Sequence, residues 1–409
     1  MLSPLIEQVI MLKNIPISEL KPGMYVVDPS INWMQRPYLF AENRLISSEE
    51  EIQRIIADGY LEVFIDLARS DASVFTEGLP DNPILEVDKQ QLRLTPKTSL
   101  EEELPKALKV HDESVLYARK FMSDMRTGKV SMSAAGDVVF NIMESLENNP
   151  DALLSLSRLH HKDSYTYTHC VNVSILSTFF SRFTGKDSDT VYAAGVAGLF
   201  HDLGKALVPQ MILNAPRKLT QAEFTIMQRH PTLGYEQLCS VPGISQDVLL
   251  GALQHHERYD GSGYPKGLSA EEISPIGSIL AVVDVYDALT SNRPYKGSMF
   301  PHKALGIMYQ HMRAKELHPD YLARFIRMVG VYPTGSVVII EGGWTGVVIA
   351  ANQDNPSKPK VRLCIDPQGK KSTPWDCDLS QEGSPLITSC IAAEDTAIDL
   401  LQEMGLKPE

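Results

Sequence analysis

Phe200-His201-Asp202-Leu203-Gly204-Lys205 closes the apolar run VYAAGVAGLF at 191–200 and packs an imidazole, a carboxylate and an ammonium into one turn. A histidine and an aspartate side by side at a helix end can both turn toward one metal ion. The carboxylate has two oxygens and can therefore also bridge two ions. Gly204 reads as the residue that permits a sharp turn, letting Lys205 swing back toward the same point. An isolated His-Asp pair arises often by chance, so the weight of this one depends on the rest of the chain.

Working outward, His169 lies on a predicted helix, 165–183, whose neighbouring positions Val171, Val173, Ile175 and Leu176 are apolar. His230 stands beside Pro231 at a predicted helix end, and His255-His256 is followed by Glu257. Asp284 interrupts SILAVVDVYDAL at 278–289, where a buried lone carboxylate would be costly without a compensating cation. Ten of the eleven histidines fall between 160 and 318, which concentrates the commonest metal ligand in one part of the chain. The bland alternative is a set of satisfied core polar residues. His302, His311 and His318 read as surface or capping residues, and His160-His161 as a helix end outside the site.

Composition bounds the setting. The 409 residues, 43% hydrophobic, suffice for two or three domains, and a net charge of -13 argues against a broad nucleic-acid footprint. Five scattered cysteines without close Cys-x-x-Cys spacing suit a reducing cytosol, and no run is long and apolar enough for a membrane span. The expected location is the cytoplasm, with neither a nucleic-acid polymer nor a membrane as partner.

The expected fold is mainly α. Residues 1–75 read as a small α+β module: short strands in LKPGMYVVDPS, RPYLF and GYLEVFIDL, and a helix in SSEEEIQRIIADG capped by Ser48. The stretch 76–105, with Pro80, Pro83, Pro96 and Pro105, reads as a linker. Residues 106–332 carry helical spacing at 106–126, 133–147, 165–183, 190–200, 220–229, 246–256, 276–290, 302–313 and 319–329. Residues 333–409 read as a β appendage of three strands, in SVVIIEGG, TGVVIAAN and KVRLCID, followed by a helix at 392–404.

The set His169, His201-Asp202 and Asp284 resembles the ligand set of the HD superfamily of metal-dependent phosphohydrolases. HHERYDGSGYPKG at 255–267 resembles the signature of its HD-GYP branch, with Gly263-Tyr264-Pro265 intact, and DVYDALTSNRPYK at 284–296 resembles that branch's substrate-side segment. The likeness covers roughly 160–330. The LKPGMYVVD opening is similar to the uncharacterised domain that often precedes such domains.

The resemblance implies hydrolysis of cyclic di-GMP to linear pGpG, and onward to GMP, in an all-helical domain holding two divalent ions. One ion would take His169, His201, Asp202 and Asp284; the other would take His230, His255 and His256, with Asp202 bridging. Such mixed ligation suits iron or manganese, with zinc or nickel also compatible. A hydroxide between the two ions would be the nucleophile. Lys205 would contact the scissile phosphate. Asp163, Arg293, Lys296 and Tyr264 would face the substrate, while solvated surface or locally packed readings stay open for each. Asp287 and Glu257 would orient the ligands.

Members with a third metal carry glutamate four positions before the first histidine. Tyr165 stands there, a poor ligand with an ordinary pKa of about 10, hence the expectation of two ions. A GGDEF-type cyclase and a second copy of the chain are the implied protein partners. Two rivals follow from the same residues: a phosphohydrolase of another nucleotide, and a non-catalytic sensor or cyclase-docking module.

Overall fold

The computed structural model describes residues 12–27, 44–57, 62–66, 70, 95–126, 134–159, 165–215, 217–291, 299–396 and 398–406. The protein is mainly α-helical, with an antiparallel sheet at each end of the sequence. The first sheet comprises β1 (Leu12–Pro16), β2 (Tyr25–Val27), β3 (Arg44–Leu45) and β4 (Glu62–Asp66), in the order β1-β4-β2-β3. Helix α1 (Glu49–Ala57) follows Ser48 directly, and its Ile52 and Ile55 pack with Ile15, Val26, Val63 and Ile65. The strand expected in RPYLF and most of the stretch read as a linker lie outside the described residues.

The central body contains α2 (Leu100–Arg126), α3 (Ala135–Asn148), α4 (Pro150–Leu159), α5 (Tyr165–Phe183) and α6 (Ser188–Phe200). A tight 3-10 turn at Leu203–Leu207 leads to α7 (Gln210–Leu213), α8 (Gln221–Met227), α9 (His230–Cys239) and α10 (Gln246–Gln254). Then come α11 (Pro275–Thr290), α12 (Pro301–Arg313) and α13 (Pro319–Val329). Helices α5 and α11 are buried on nearly every side and occupy the centre, packed on each other. Ser274 starts α11 by accepting the Gly277 N–H, with Pro275 at the first helical position.

Several sequence expectations need correction. Helix α2 begins at Leu100, with Pro105 inside it. Burial of Leu100 and Leu104 outweighs the single backbone hydrogen bond that the proline forgoes. Just before it, the Lys97 and Thr98 amides donate to the Asn148 carbonyl, so residues from 95 onward are fastened to the helical body. Helices α4 and α9 have no counterpart in the sequence reading. Both open with a proline, at Pro150 and at His230-Pro231, and proline is tolerated in a first turn, where its missing N–H is not needed. His230 therefore starts a helix rather than ending one. His318 caps α13, accepting the Tyr321 N–H.

At the C-terminal end there are five strands instead of three: β5 (Val337–Ile340), β6 (Thr345–Ala350), β7 (Lys360–Ile365), β8 (Lys371–Asp378) and β9 (Ile387–Ile391), in the order β8-β7-β6-β5-β9. Pro374 disguises β8, but β8 is an edge strand, where an absent N–H is tolerated. The helix expected at 392–404 shrinks to a 3-10 turn at Ala393–Asp395 and α14 (Leu400–Glu403). Asp399 accepts the Gln402 amide and starts the helix only there.

Candidate metal centre

The residues singled out around His201 converge. His201 caps the C-terminal end of α6 and Asp202 follows it. His230 opens α9, His255 caps the end of α10 with His256 next to it, and His169 and Asp284 come from the interiors of α5 and α11. Two groups of donor atoms result, each within 4.8 Å: His169, His201 and Asp284, and Asp202, His230, His255 and His256. Asp202 joins them. Its Oδ2 lies 3.4 Å from His201 Nε2 and 3.7 Å from His169 Nε2, while Oδ1 lies 3.3 Å from His230 Nε2 and 3.8 Å from His255 Nε2. Asp284 also reaches both, with Oδ1 3.1 Å from His169 Nε2 and Oδ2 3.9 Å from His256 Nδ1.

The proton positions follow from the partners. His201, His230 and His255 each set Nδ1 2.7–2.8 Å from the carbonyl three residues earlier, of Gly198, Met227 and Ala252 respectively. A carbonyl only accepts, so each Nδ1 carries the hydrogen and Nε2 is left as the nitrogen that can present a lone pair to a metal. Yet His230 Nε2 stands 3.2 Å from His255 Nε2, lone pair toward lone pair. Asp202 Oδ1 and His256 Nε2 are buried there without a hydrogen-bond partner. Acceptors converging on acceptors make an arrangement that a cation satisfies and a proton network does not.

Charge points the same way. Asp202, Asp284 and Asp287 are all buried, and among the described residues Lys205 brings an ammonium to them, its Nζ donating to Asp202 Oδ2 at 2.5 Å. Burial opposes ionisation of Asp202, but Lys205 and the surrounding imidazoles outweigh it and hold the carboxyl well below its usual range. Burial likewise opposes a charged His169, yet the hydrogen bonds to Asp284 and Asp287 raise it to about 9. The pocket thus favours positive charge at that point. On the other side, burial lowers His230, His255 and His256 and keeps them neutral, the form that binds metal.

The remaining residues fall into place around this core. His169 Nδ1 donates to Asp287 Oδ2 at 2.7 Å. Asp287 Oδ1 accepts from Asn172 Nδ2 at 2.9 Å, and the same nitrogen reaches the Ser157 carbonyl at 2.7 Å. Asn172 escaped the sequence reading. Its signal is present, since it lies three residues after His169 on the same helix face and is polar within an apolar helix.

Glu257 does not touch the histidines. Its two oxygens accept the Lys266 and Leu268 amides and so hold the loop that carries Tyr264. The Tyr264 ring stacks on His256 at 4.7 Å and meets Phe224 edge-on. Gly263 lies so close to the backbone of 256–258 that any Cβ would collide there. Gly204 is required for the same reason rather than for turn geometry. Its φ is not positive, and a Cβ would run into the His230 carbonyl and the Gly234 amide. Asp163, Arg293 and Lys296 lie outside the described residues, and Tyr165 is the first residue of α5.

Comparison with known proteins agrees with this centre. Residues 142–320 match the HD domain, residues 12–134 a domain of unknown function (DUF3391), and residues 337–399 a KOW domain associated with the HD domain. The chain is 34% identical over 385 residues to cyclic di-GMP phosphodiesterase PA4108 of Pseudomonas aeruginosa, covering 91% of this chain and 90% of that protein. It is 34% identical over 207 residues to the cyclic di-GMP phosphodiesterase response regulator RpfG of Xanthomonas campestris pv. campestris, with coverage of 50% and 54%. Over 176 residues it is 38% identical to 3′3′-cGAMP-specific phosphodiesterase 1 of Vibrio cholerae, with coverage of 43% and 41%. Among the described residues no helix is long and apolar enough to cross a membrane. The matched HD region contains every residue of both donor groups, and the likeness to PA4108 runs nearly end to end in both chains: this protein belongs to the HD-GYP branch of the metal-dependent HD phosphohydrolases.

Proposed function

We propose that this chain hydrolyses cyclic di-GMP, opening one 3′–5′ phosphodiester to give linear pGpG, and GMP on further cleavage. The observation that carries the reading is Asp202, whose two oxygens face two separate histidine groups. His169, His201, Asp202 and Asp284 would hold one divalent ion; His230, His255 and His256, with Asp202 shared, would hold a second. Iron or manganese suits this mixture of imidazole and carboxylate. Such ions would acidify a water for attack at phosphorus and offset the charge that develops there.

The chain's own residues do the rest. Asp287 fixes His169, the backbone carbonyls fix the other imidazoles, and Glu257 holds the loop beside His256. Lys205, whose Nζ donates to Asp202, would contact the scissile phosphate. Arg293 and Lys296 are assigned to substrate recognition, as is Asp163, and a GGDEF-type cyclase or a second copy is the partner class to look for. The five cysteines have no disulfide partner, which supports a reducing cytoplasmic setting.

The relative specific for 3′3′-cGAMP makes a second cyclic dinucleotide a concrete rival substrate. The test joins elemental analysis of anaerobically purified protein to hydrolysis assays on both dinucleotides. Two metals per chain and faster turnover of cyclic di-GMP are expected. Preference for 3′3′-cGAMP would overturn the substrate, and three stoichiometric metals would overturn the count.

A further inference from the structure

The C-terminal sheet has no residue in either donor group, yet the turn leading into it is joined to one of them by hydrogen bonds on both sides of two adjacent residues of α4. Arg158, in the last turn of α4, donates through Nη1 to the Thr334 carbonyl at 2.8 Å, and to the Pro333 carbonyl and Ser336 Oγ at 3.3 Å. These three residues lead directly into β5. At the other end of α4, Thr334 Oγ1 donates to Asp151 Oδ1 at 2.5 Å. The segment 333–336 therefore grips α4 at both ends. The residue beside Arg158 is Ser157, in the last turn of α4, and its carbonyl accepts from a side chain outside the helix. Asn172 supplies the donor, and its amide bonds both the Ser157 carbonyl and Asp287. Asp287 in turn orients His169.

We infer that the C-terminal sheet, through Arg158, Ser157 and Asn172, is what holds Asp287 and His169 in ligating orientation, and that Asn172 and Arg158 are positioning residues for the metal site. The physical reason lies in the length of the lever. One Asn nitrogen with two acceptors fixes the Asp287 carboxylate only if the Ser157 carbonyl is itself fixed. That carbonyl sits at a helix end, where backbone order is weakest unless something outside the helix secures it. Arg158 provides that anchor.

This inference rests on reading His169 as a metal ligand, and the test separates the two. Full-length protein stripped with chelator is titrated with Mn²⁺ alone, and its unfolding temperature is recorded alongside. The wild-type chain should show two binding steps. Asn172→Ala and Arg158→Met should each weaken one step, by about tenfold to a hundredfold, the usual effect of losing a partner behind a ligand. Arg158→Lys, which keeps a donor and the charge, should recover most of that loss. Val361→Ala, in the sheet's own core and away from Arg158, should lower the unfolding temperature without moving either step.

Unchanged binding in Asn172→Ala overturns the inference, as does unchanged binding in Arg158→Met. Equal weakening in Val361→Ala also overturns it, because the effect would then be general loss of stability. A wild-type chain that binds no Mn²⁺ overturns the metal reading as well. Should Arg158→Met fail to fold, Ser336→Ala removes one acceptor of the same anchor, and it too must weaken the same step.

Discussion

The histidines of this centre are held in two different ways. His201, His230 and His255 stand at helix ends or starts, and each turns its Nδ1 onto the carbonyl three residues back. His169 stands one turn inside α5, where the nearby carbonyls are committed to helical hydrogen bonds, so its Nδ1 must find a side chain. It finds Asp287, 118 residues away. A helix end supplies an orienting carbonyl without any further residue, whereas a helix interior requires a carboxylate and whatever steadies that carboxylate. The backbone-held imidazoles need only the few residues just before them in sequence to be in place. The side-chain-held one depends on α11, α4 and the C-terminal sheet together.

The sharpest attack on both kinds at once is Asp202→Asn. It replaces one of the two oxygens shared between the groups with an N–H donor that cannot ligate. At least one metal should be lost and turnover should fall more than a hundredfold, about 2.7 kcal/mol of barrier, with helical content unchanged by circular dichroism. Activity within threefold of wild type would refute the shared role.

Asp287→Ala strikes the side-chain-held histidine alone. A loss of about ten- to a hundredfold in affinity for one metal, with the second retained, is expected from calorimetric titration. Equal loss at both would erase the distinction between the two kinds of support.

Gly204→Ala probes the opposite side. Its Cβ would press on the His230 carbonyl and force the 3-10 turn away from α9. A destabilisation of about 1–3 kcal/mol is expected by thermal unfolding, with the metal on the His230 side weakened more than that on the His169 side. A variant as stable as wild type would mean that the two segments separate freely.

Arg293→Ala and Lys296→Ala should leave both metals in place. Their effect should appear mainly as a higher KM, seen by steady-state kinetics, if the contact is the same in ground and transition states. Metal loss in either folded variant would remove that segment from substrate recognition.

The same contrast explains how far the sequence could be read. The seven donor residues were legible because histidine and aspartate gather at helix ends or inside apolar helices, where burial is costly unless they meet a cation. Helices α5, α6 and α11 were legible because their runs are long and carry no proline inside them. Helices α4 and α9 were not, since a proline near the start of a helix looks locally like a stop. Edge strand β8 was hidden in the same way by Pro374. Glu257 shows the limit for side chains: its place beside His255-His256 suggests support of the imidazoles, yet the fold turns it toward the loop amides of Lys266 and Leu268.

By itself the sequence determined which residues could ligate and that most of the chain is helical. Both depend on interactions within a few residues along the chain. Only the tertiary structure decided that one carboxylate, Asp202, would stand between two imidazole groups, that Gly204 is needed for a backbone contact with His230, and that His169 would rest on Asp287, Asn172 and the turn leading into β5. Each of these joins segments tens to more than a hundred residues apart. Their meeting depends on how helices pack, which no local pattern encodes.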